Sequence, residues 1–218
     1  MPESGVAGRL VLVAGATSTS GLAATRALAS AGARVVAVGR DAARLEPLAA
    51  LGAEVHACDL TAEDAVRELA DRVGPVDGIL HLVGGWRGGG GLAGQTEADY
   101  RFLEGSLTAL RNETRAFWPD LVAAPAARVA IVSSTAVARP LAGGANYATV
   151  KAAAEAWARA VAQGFAKAAR DAGEPLRAAS VVFRVTALAG HEDELAAAYV
   201  ALWDEDAAAA NDSVRLLP

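Results

Sequence analysis

Leu10-Val11-Leu12-Val13-Ala14-Gly15-Ala16-Thr17-Ser18-Thr19-Ser20-Gly21 is the stretch that decides the fold. It runs from an apolar segment through a turn bracketed by glycines, with hydroxyls between them, into the alanine-rich run Leu22–Ser30. The first part reads as a buried strand and the last as a helix, so the glycines stand at a strand-to-helix turn. A helix N-terminus offers unpaired N–H groups and the positive end of its dipole to a phosphate, while glycine lets the backbone turn and approach closely. Gly15, Thr17, Ser18, Thr19, Ser20 and Gly21 are therefore candidate ligands for a pyrophosphate. The competing reading is a plain turn capped by serine.

Outward from this turn, short β-branched runs alternate with longer alanine-rich stretches. The spacing predicts strands at Leu10–Ala14, Arg34–Val38, Glu54–Ala57, Gly78–Val83, Arg128–Val132 and Ala178–Phe183, and a short last one near Val214–Leu217. Helices are expected at about 20–31, 41–51, 61–73, 97–117, 145–171 and 191–203, with Gly32, Gly52 and Gly74 as C-terminal caps. This is the pattern of an α/β fold: a Rossmann-type, doubly wound parallel sheet of about seven strands with helices on both faces. At 218 residues and 53% hydrophobic, the expectation is a single dinucleotide-binding domain over residues 1–218.

Bulk properties narrow the function classes. A formal charge of −5 without a basic stripe argues against nucleic acid as a partner. No apolar run approaches the roughly 18–20 residues of a membrane span, and the opening MPESGVAGRL reads as the lead-in to a strand rather than a signal peptide. One cysteine, Cys58, leaves no internal disulfide framework, so the cytoplasm is the default compartment. His56, His81 and His191 are isolated from one another, and no metal site is expected. His81, on the fourth strand, reads as a core histidine in preference to a catalytic base.

Two further positions carry chemistry. Where dinucleotide folds place an acidic residue for a ribose 2′-hydroxyl, the chain has Gly39, followed by Arg40, whose guanidinium suits a 2′-phosphate. This favours NADP(H) over NAD(H); the alternative is a solvated Arg40, with Asp41 merely capping the next helix. The second is Tyr147 with Lys151, one of only two lysines in the chain. One helical turn apart, they share a face. A free phenol has a pKa of about 10, and a neighbouring ammonium favours its ionised form.

These residues resemble the short-chain dehydrogenase/reductase family over nearly the whole chain. Gly15…Gly21 matches its nucleotide loop, Asp59-Leu60 its adenine-side pair, Ser134 its catalytic serine and Tyr147-Ala-Thr-Val-Lys151 its tyrosine–lysine motif. The resemblance implies an NAD(P)-dependent oxidoreductase that interconverts a carbonyl and an alcohol on a small organic substrate. Tyr147 would then be the acid/base, Lys151 would support it and hold the nicotinamide ribose, and Ser134 would bond the carbonyl oxygen. Val83 and Gly84 fall at further cofactor positions.

The chain also departs from the family. His81-Leu82-Val83-Gly84 replaces Asn-Asn-Ala-Gly, Ser106 aligns with the proton-relay asparagine, Phe183-Arg184 replaces Pro-Gly, and Val185–Gly190 is too short for a substantial lid. Trp86 and Arg87, in a glycine-rich loop, are the remaining substrate candidates, as apolar wall and anion contact. The resemblance further implies a homodimer or homotetramer through the helices around 100–117 and 145–170, where Trp118 and Trp157 add bulk. The eroded positions keep two alternatives open: a dinucleotide-binding regulator or pseudoenzyme, or a non-redox reaction at the same site.

Overall fold

The computed structural model describes residues 5–217. The ends of the expected 1–218 domain, including the first residues of the lead-in to the first strand, lie outside the described residues. The chain alternates β1 (Leu10–Ala14), α1 (Thr19–Ser30), β2 (Arg34–Gly39), α2 (Ala42–Ala49), β3 (Glu54–Ala57), α3 (Glu63–Val73) and β4 (Gly78–His81). It continues through α4 (Glu97–Ala116), α5 (Trp118–Ala123), β5 (Ala127–Ser134), α6 (Ala145–Ala172), β6 (Ala178–Val185), α7 (Glu192–Ala201), α8 (Ala207–Ala210) and β7 (Ser213–Leu216). The strands form one parallel sheet in the order β3-β2-β1-β4-β5-β6-β7.

Both faces of the sheet are covered, which is why β1 is apolar at every position. Val11, Val13 and Leu80 pack with Leu28, Leu195 and Tyr199 from α1 and α7. Leu12, Ala14 and Ile79 face the other way, against Val66, Leu69 and Phe165 from α3 and α6. Strand order reverses between β1 and β4, so the C-terminal ends of these two strands open a crevice at the switch point, where ligands bind in open α/β sheets.

Most departures from the expected boundaries have local causes. β4 stops at His81, because after the Leu82 N–H bonds the Ala14 carbonyl the chain leaves the ladder over Gly15. β6 instead runs on through Arg184 and Val185, paired with Ser133 and Ser134 of β5, since no proline interrupts it. The helix expected over 97–117 is followed by a separate α5 that places Pro119 in its first turn, where a missing N–H costs nothing. Past α7 the chain tightens into a 3-10 turn over Leu202–Asp204. Gly32, Gly52 and Gly74 do adopt φ of +84°, +84° and +73°, as helix-ending glycines require.

Trp118 and Trp157 are half-buried against neighbouring helices of the chain. Trp118 stacks on Phe165 with ring centroids 5.0 Å apart, and the Trp157 indole donates to the Thr114 hydroxyl at 2.9 Å. Among the described residues no helix is long and apolar enough to cross a membrane, and no group of three or more His, Cys, Asp or Glu side chains could hold a metal.

Candidate active site

Two clefts of about 420 and 240 Å³ lie along the C-terminal edge of the sheet. Both are lined by Ser18, Leu82, Val83 and Gly84, so they form one continuous groove across the switch point. The first is walled by Gly15, Thr17, Gly39, Arg40, Arg44, Asp59, Leu60 and Ser106, the second by Ser20, His81, Tyr147, Lys151 and Val185–Leu188.

At the first cleft the β1–α1 turn is fixed by close contacts. Gly15 has φ +78°, and a Cβ there would lie 2.8 Å from the Leu82 carbonyl carbon, so a side chain is excluded. The Ser18 hydroxyl donates to the Gly15 carbonyl at 2.9 Å and accepts from the Gly21 N–H at 3.0 Å, capping α1. The loop candidates divide into separate roles. Gly15, Thr17, Ser18 and Ser20 line the groove, whereas Thr19 is exposed and lines neither cleft. Gly21 also lies outside the groove; a Cβ there would come within 2.4 Å of the Ala16 carbonyl oxygen, so its contribution is to seat α1 on the turn. This cradle of glycines beneath a helix N-terminus fits the pyrophosphate of a dinucleotide.

At the far end of this cleft a Cβ on Gly39 would sit 2.8 Å from the Thr17 methyl, so any side chain there would have to turn Thr17 aside. Arg40 is exposed on the cleft wall, and Asp41 does cap α2, accepting from the Ala43 and Arg44 amides. Arg44, which sequence reasoning missed, donates to the Thr17 carbonyl at 2.9 Å and brings a second guanidinium to the same wall. The Asp59 carboxyl is held below its ordinary range by hydrogen bonds from the Thr61 amide and hydroxyl, and more weakly by the Arg40 charge. Asn112 of α4 fixes this turn by donating to the Leu60 and Thr61 carbonyls at 3.0 and 3.1 Å.

The second cleft gathers Tyr147 and Lys151 with Ser134 behind them. The Tyr147 and Ser134 hydroxyls lie near enough for Ser134 to act on the phenol, and the Ser134 oxygen accepts from the Ala136 amide at 3.1 Å. Lys151 donates to the Val132 carbonyl at 2.7 Å, with its nitrogen 5.8 Å from the Tyr147 ring centre. Burial pulls the Lys151 ammonium down to about 8, against the opposing charge of Glu155. Tyr147 corrects one expectation. Burial raises its phenol above the ordinary value, and the neighbouring Ser134 hydroxyl only partly offsets this. At neutral pH the phenol therefore keeps its proton.

Other expectations are also revised. His81 is buried, as a core histidine would be, yet it lines the second cleft and its Nδ1 lies 2.6 Å from the carboxylate of fully buried Glu113. Ser106 donates back to the Leu103 carbonyl at 2.7 Å, so its hydroxyl is engaged within α4. Trp86 is exposed, and Arg87 stacks 4.0 Å over the Phe102 ring and faces Asp99; neither lines the two clefts. Their loop is tied down by Gln95, which donates to the Gly89, Gly91 and Gly143 carbonyls at 3.1, 3.2 and 3.0 Å. The Val185–Gly190 segment is short, as expected, but its residues Val185–Leu188 still build one wall.

Sequence and structure comparisons agree with this geometry. The short chain dehydrogenase family model matches residues 9–169. A protein from Streptomyces sp. (strain C5), named as a candidate daunorubicin C-13 ketoreductase, is 42% identical over 79 residues. That match covers 33% of this chain and 28% of the relative's length. A short chain dehydrogenase structure from Pseudomonas syringae superposes with a TM-score of 0.85 at 24% identity, covering 99% of this chain and 97% of that one. A metagenomic short-chain oxidoreductase in complex with NADP gives 0.83 at 26% identity, with 99% of each chain covered. With the groove, the parallel sheet and the matched segment in agreement, the chain belongs to the short-chain dehydrogenase/reductase family.

Proposed function

We propose that the protein is an NADP(H)-dependent carbonyl reductase or alcohol dehydrogenase acting on a small organic substrate, with Tyr147 as the acid/base. The observation that carries this reading is the convergence of Tyr147 and Lys151 on the second cleft, with buried Ser134 behind them, continuous with a glycine cradle for the dinucleotide. A bound reduced nicotinamide supplies the hydride to the carbonyl carbon. As that carbon is reduced, charge develops on the carbonyl oxygen, and the Tyr147 phenol, still protonated, donates its proton there. Ser134 bonds the same oxygen and fixes its position, and Lys151 places a positive charge beside the tyrosine as it becomes a phenolate.

The NADP(H) preference is supported by glycine, with no acid, at position 39 and by the arginines at 40 and 44 on the same wall. A solved relative in complex with NADP points in the same direction, and a relative named as a ketoreductase is in keeping with a carbonyl substrate. Titration of the protein with NADPH and NADH, followed by nicotinamide fluorescence, with a carbonyl panel added to the same cuvette, tests the assignment. Tighter NADPH binding with NADPH consumption on a carbonyl is the expected result. Tight binding without turnover would favour a nucleotide-binding regulator, and binding of neither nucleotide would remove the reading.

A further inference from the structure

Arg184 stands where the family resemblance calls for glycine, and its side chain does not enter the groove. It turns back to α6, where its Nε and Nη2 donate to both oxygens of Glu155 at 2.7 and 2.6 Å, a fork-to-fork pairing. The Ser133 hydroxyl donates to the same carboxylate at 2.7 Å, and Glu155 itself is only 3% exposed. This one carboxylate therefore ties together three pieces of the second cleft. Ser133 immediately precedes Ser134, Arg184 leads directly into the Val185–Leu188 wall, and Glu155 lies one helical turn past Lys151 on the same face of α6.

We infer that Glu155, clamped by Arg184 and Ser133, is a positioning residue for the proton-transfer pair: through Ser133 it holds the end of β5 whose Val132 carbonyl receives the Lys151 ammonium, and from one helical turn away it sets the electrostatic surroundings of that lysine. The inference rests on the proposed function only in giving Lys151 a catalytic part. A buried carboxylate needs full compensation, and Glu155 has it. Burial pushes its carboxyl up, but the hydrogen bonds from Arg184 and Ser133 and the Arg184 charge outweigh that, so it stays ionised below the usual range. Its negative charge acts on Lys151 against the desolvation of the ammonium.

The other charged or titratable groups near Lys151 are Tyr147 on the same helix, His81 of β4 with Glu113 of α4 behind it, and Arg184 of β6 and Arg159 of α6 beyond Glu155. Ser18 and Ser20 complete that side of the cleft and do not titrate in this range. Glu155, one helical turn away, acts on the lysine through its charge.

The lysine count makes a direct test practical. With only Lys151 and Lys167 in the chain, protein labelled with 13C-lysine gives two side-chain Cε signals, assigned by Lys167→Arg. Their pH titration reads the Lys151 midpoint without nucleotide, substrate or turnover. In Glu155→Gln the Lys151 midpoint falls by about one unit, within the range an adjacent opposite charge produces, while Lys167 does not move. An unchanged Lys151 midpoint in the folded variant overturns the inference. If Glu155→Gln fails to fold, Arg184→Gln serves: loss of the guanidinium moves the Lys151 midpoint by half a unit or more, and no movement again overturns it. Rescue supplies a further check on position. Arg184→Lys keeps the charge but loses the fork, and is expected to lower kcat about tenfold with KM for NADPH within twofold; equal losses in both would mark a purely structural clamp.

Discussion

Removal of the Arg40 guanidinium separates the two nucleotides. Arg40 is exposed on the wall of the first cleft, beside Asp59. A hydrogen bond to a charged group contributes about 1.5–3 kcal/mol, and solvent screening at an exposed site brings the expectation to the low end. At about 1.4 kcal/mol per decade, Arg40→Ala should weaken NADPH binding roughly tenfold. NADH lacks the 2′-phosphate, so its affinity should stay within about twofold. In Arg40→Ala/Arg44→Ala the NADPH loss should deepen towards about 100-fold if the two contributions add. NADH should then weaken slightly as well, because Arg44 also bonds the Thr17 carbonyl. The assay is nicotinamide fluorescence titration at two ionic strengths, with the NADPH advantage of the parent shrinking at high salt. Equal weakening of both nucleotides, or no change in either, would show that the arginine wall does not read the 2′-phosphate.

Three further outcomes follow from particular contacts. Gly15→Ala should lower the urea midpoint and nucleotide affinity together, since a left-handed alanine costs about 1–2 kcal/mol before its Cβ meets the Leu82 carbonyl carbon; a parental midpoint would disprove the close approach. Glu113→Ala should destabilise by about 1–3 kcal/mol in equilibrium unfolding, because it leaves the buried His81 Nδ1 without its hydrogen-bond partner, and a loss under about 0.5 kcal/mol would argue that the pair is not structural. The pH profile of kcat/KM for reduction should fall on the alkaline side with a midpoint near 8, as the buried Lys151 ammonium loses its proton and its positive charge; a profile flat to pH 10 would sever the lysine from the chemistry.

Period and punctuation made the sheet legible in advance. Continuous apolar runs such as Leu10–Ala14 could belong only to strands covered on both faces, and glycines with positive φ closed the helices where expected. What sequence could not supply was the identity of the buried charges. Glu113 and Glu155 lie on helices rich in charged and small residues, and nothing local distinguishes a carboxylate that meets His81 or Arg184 from one that faces water. Arg44 was hidden for the same reason, because its importance comes from the Thr17 carbonyl, 27 residues away. Arg184 is the most instructive case. Read against the family it looked like decay of an active site, yet without the usual Pro-Gly the β5–β6 ladder continues to Ser134 and Val185, and the arginine becomes a strut. Trp86 and Arg87 went the other way, since position in a glycine-rich loop at a strand end said nothing about the competition from Phe102 and Asp99.

The central claim is that Tyr147 gives up a proton to a substrate whose hydride comes from the nucleotide. Tyr147→Phe tests it most directly, because the phenyl ring keeps the packing and removes only the hydroxyl. Measured side by side with the parent, the variant should retain NADPH affinity within about twofold, while kcat for carbonyl reduction falls by about 10²–10⁴. Turnover at the parental rate with Tyr147→Phe would contradict the account.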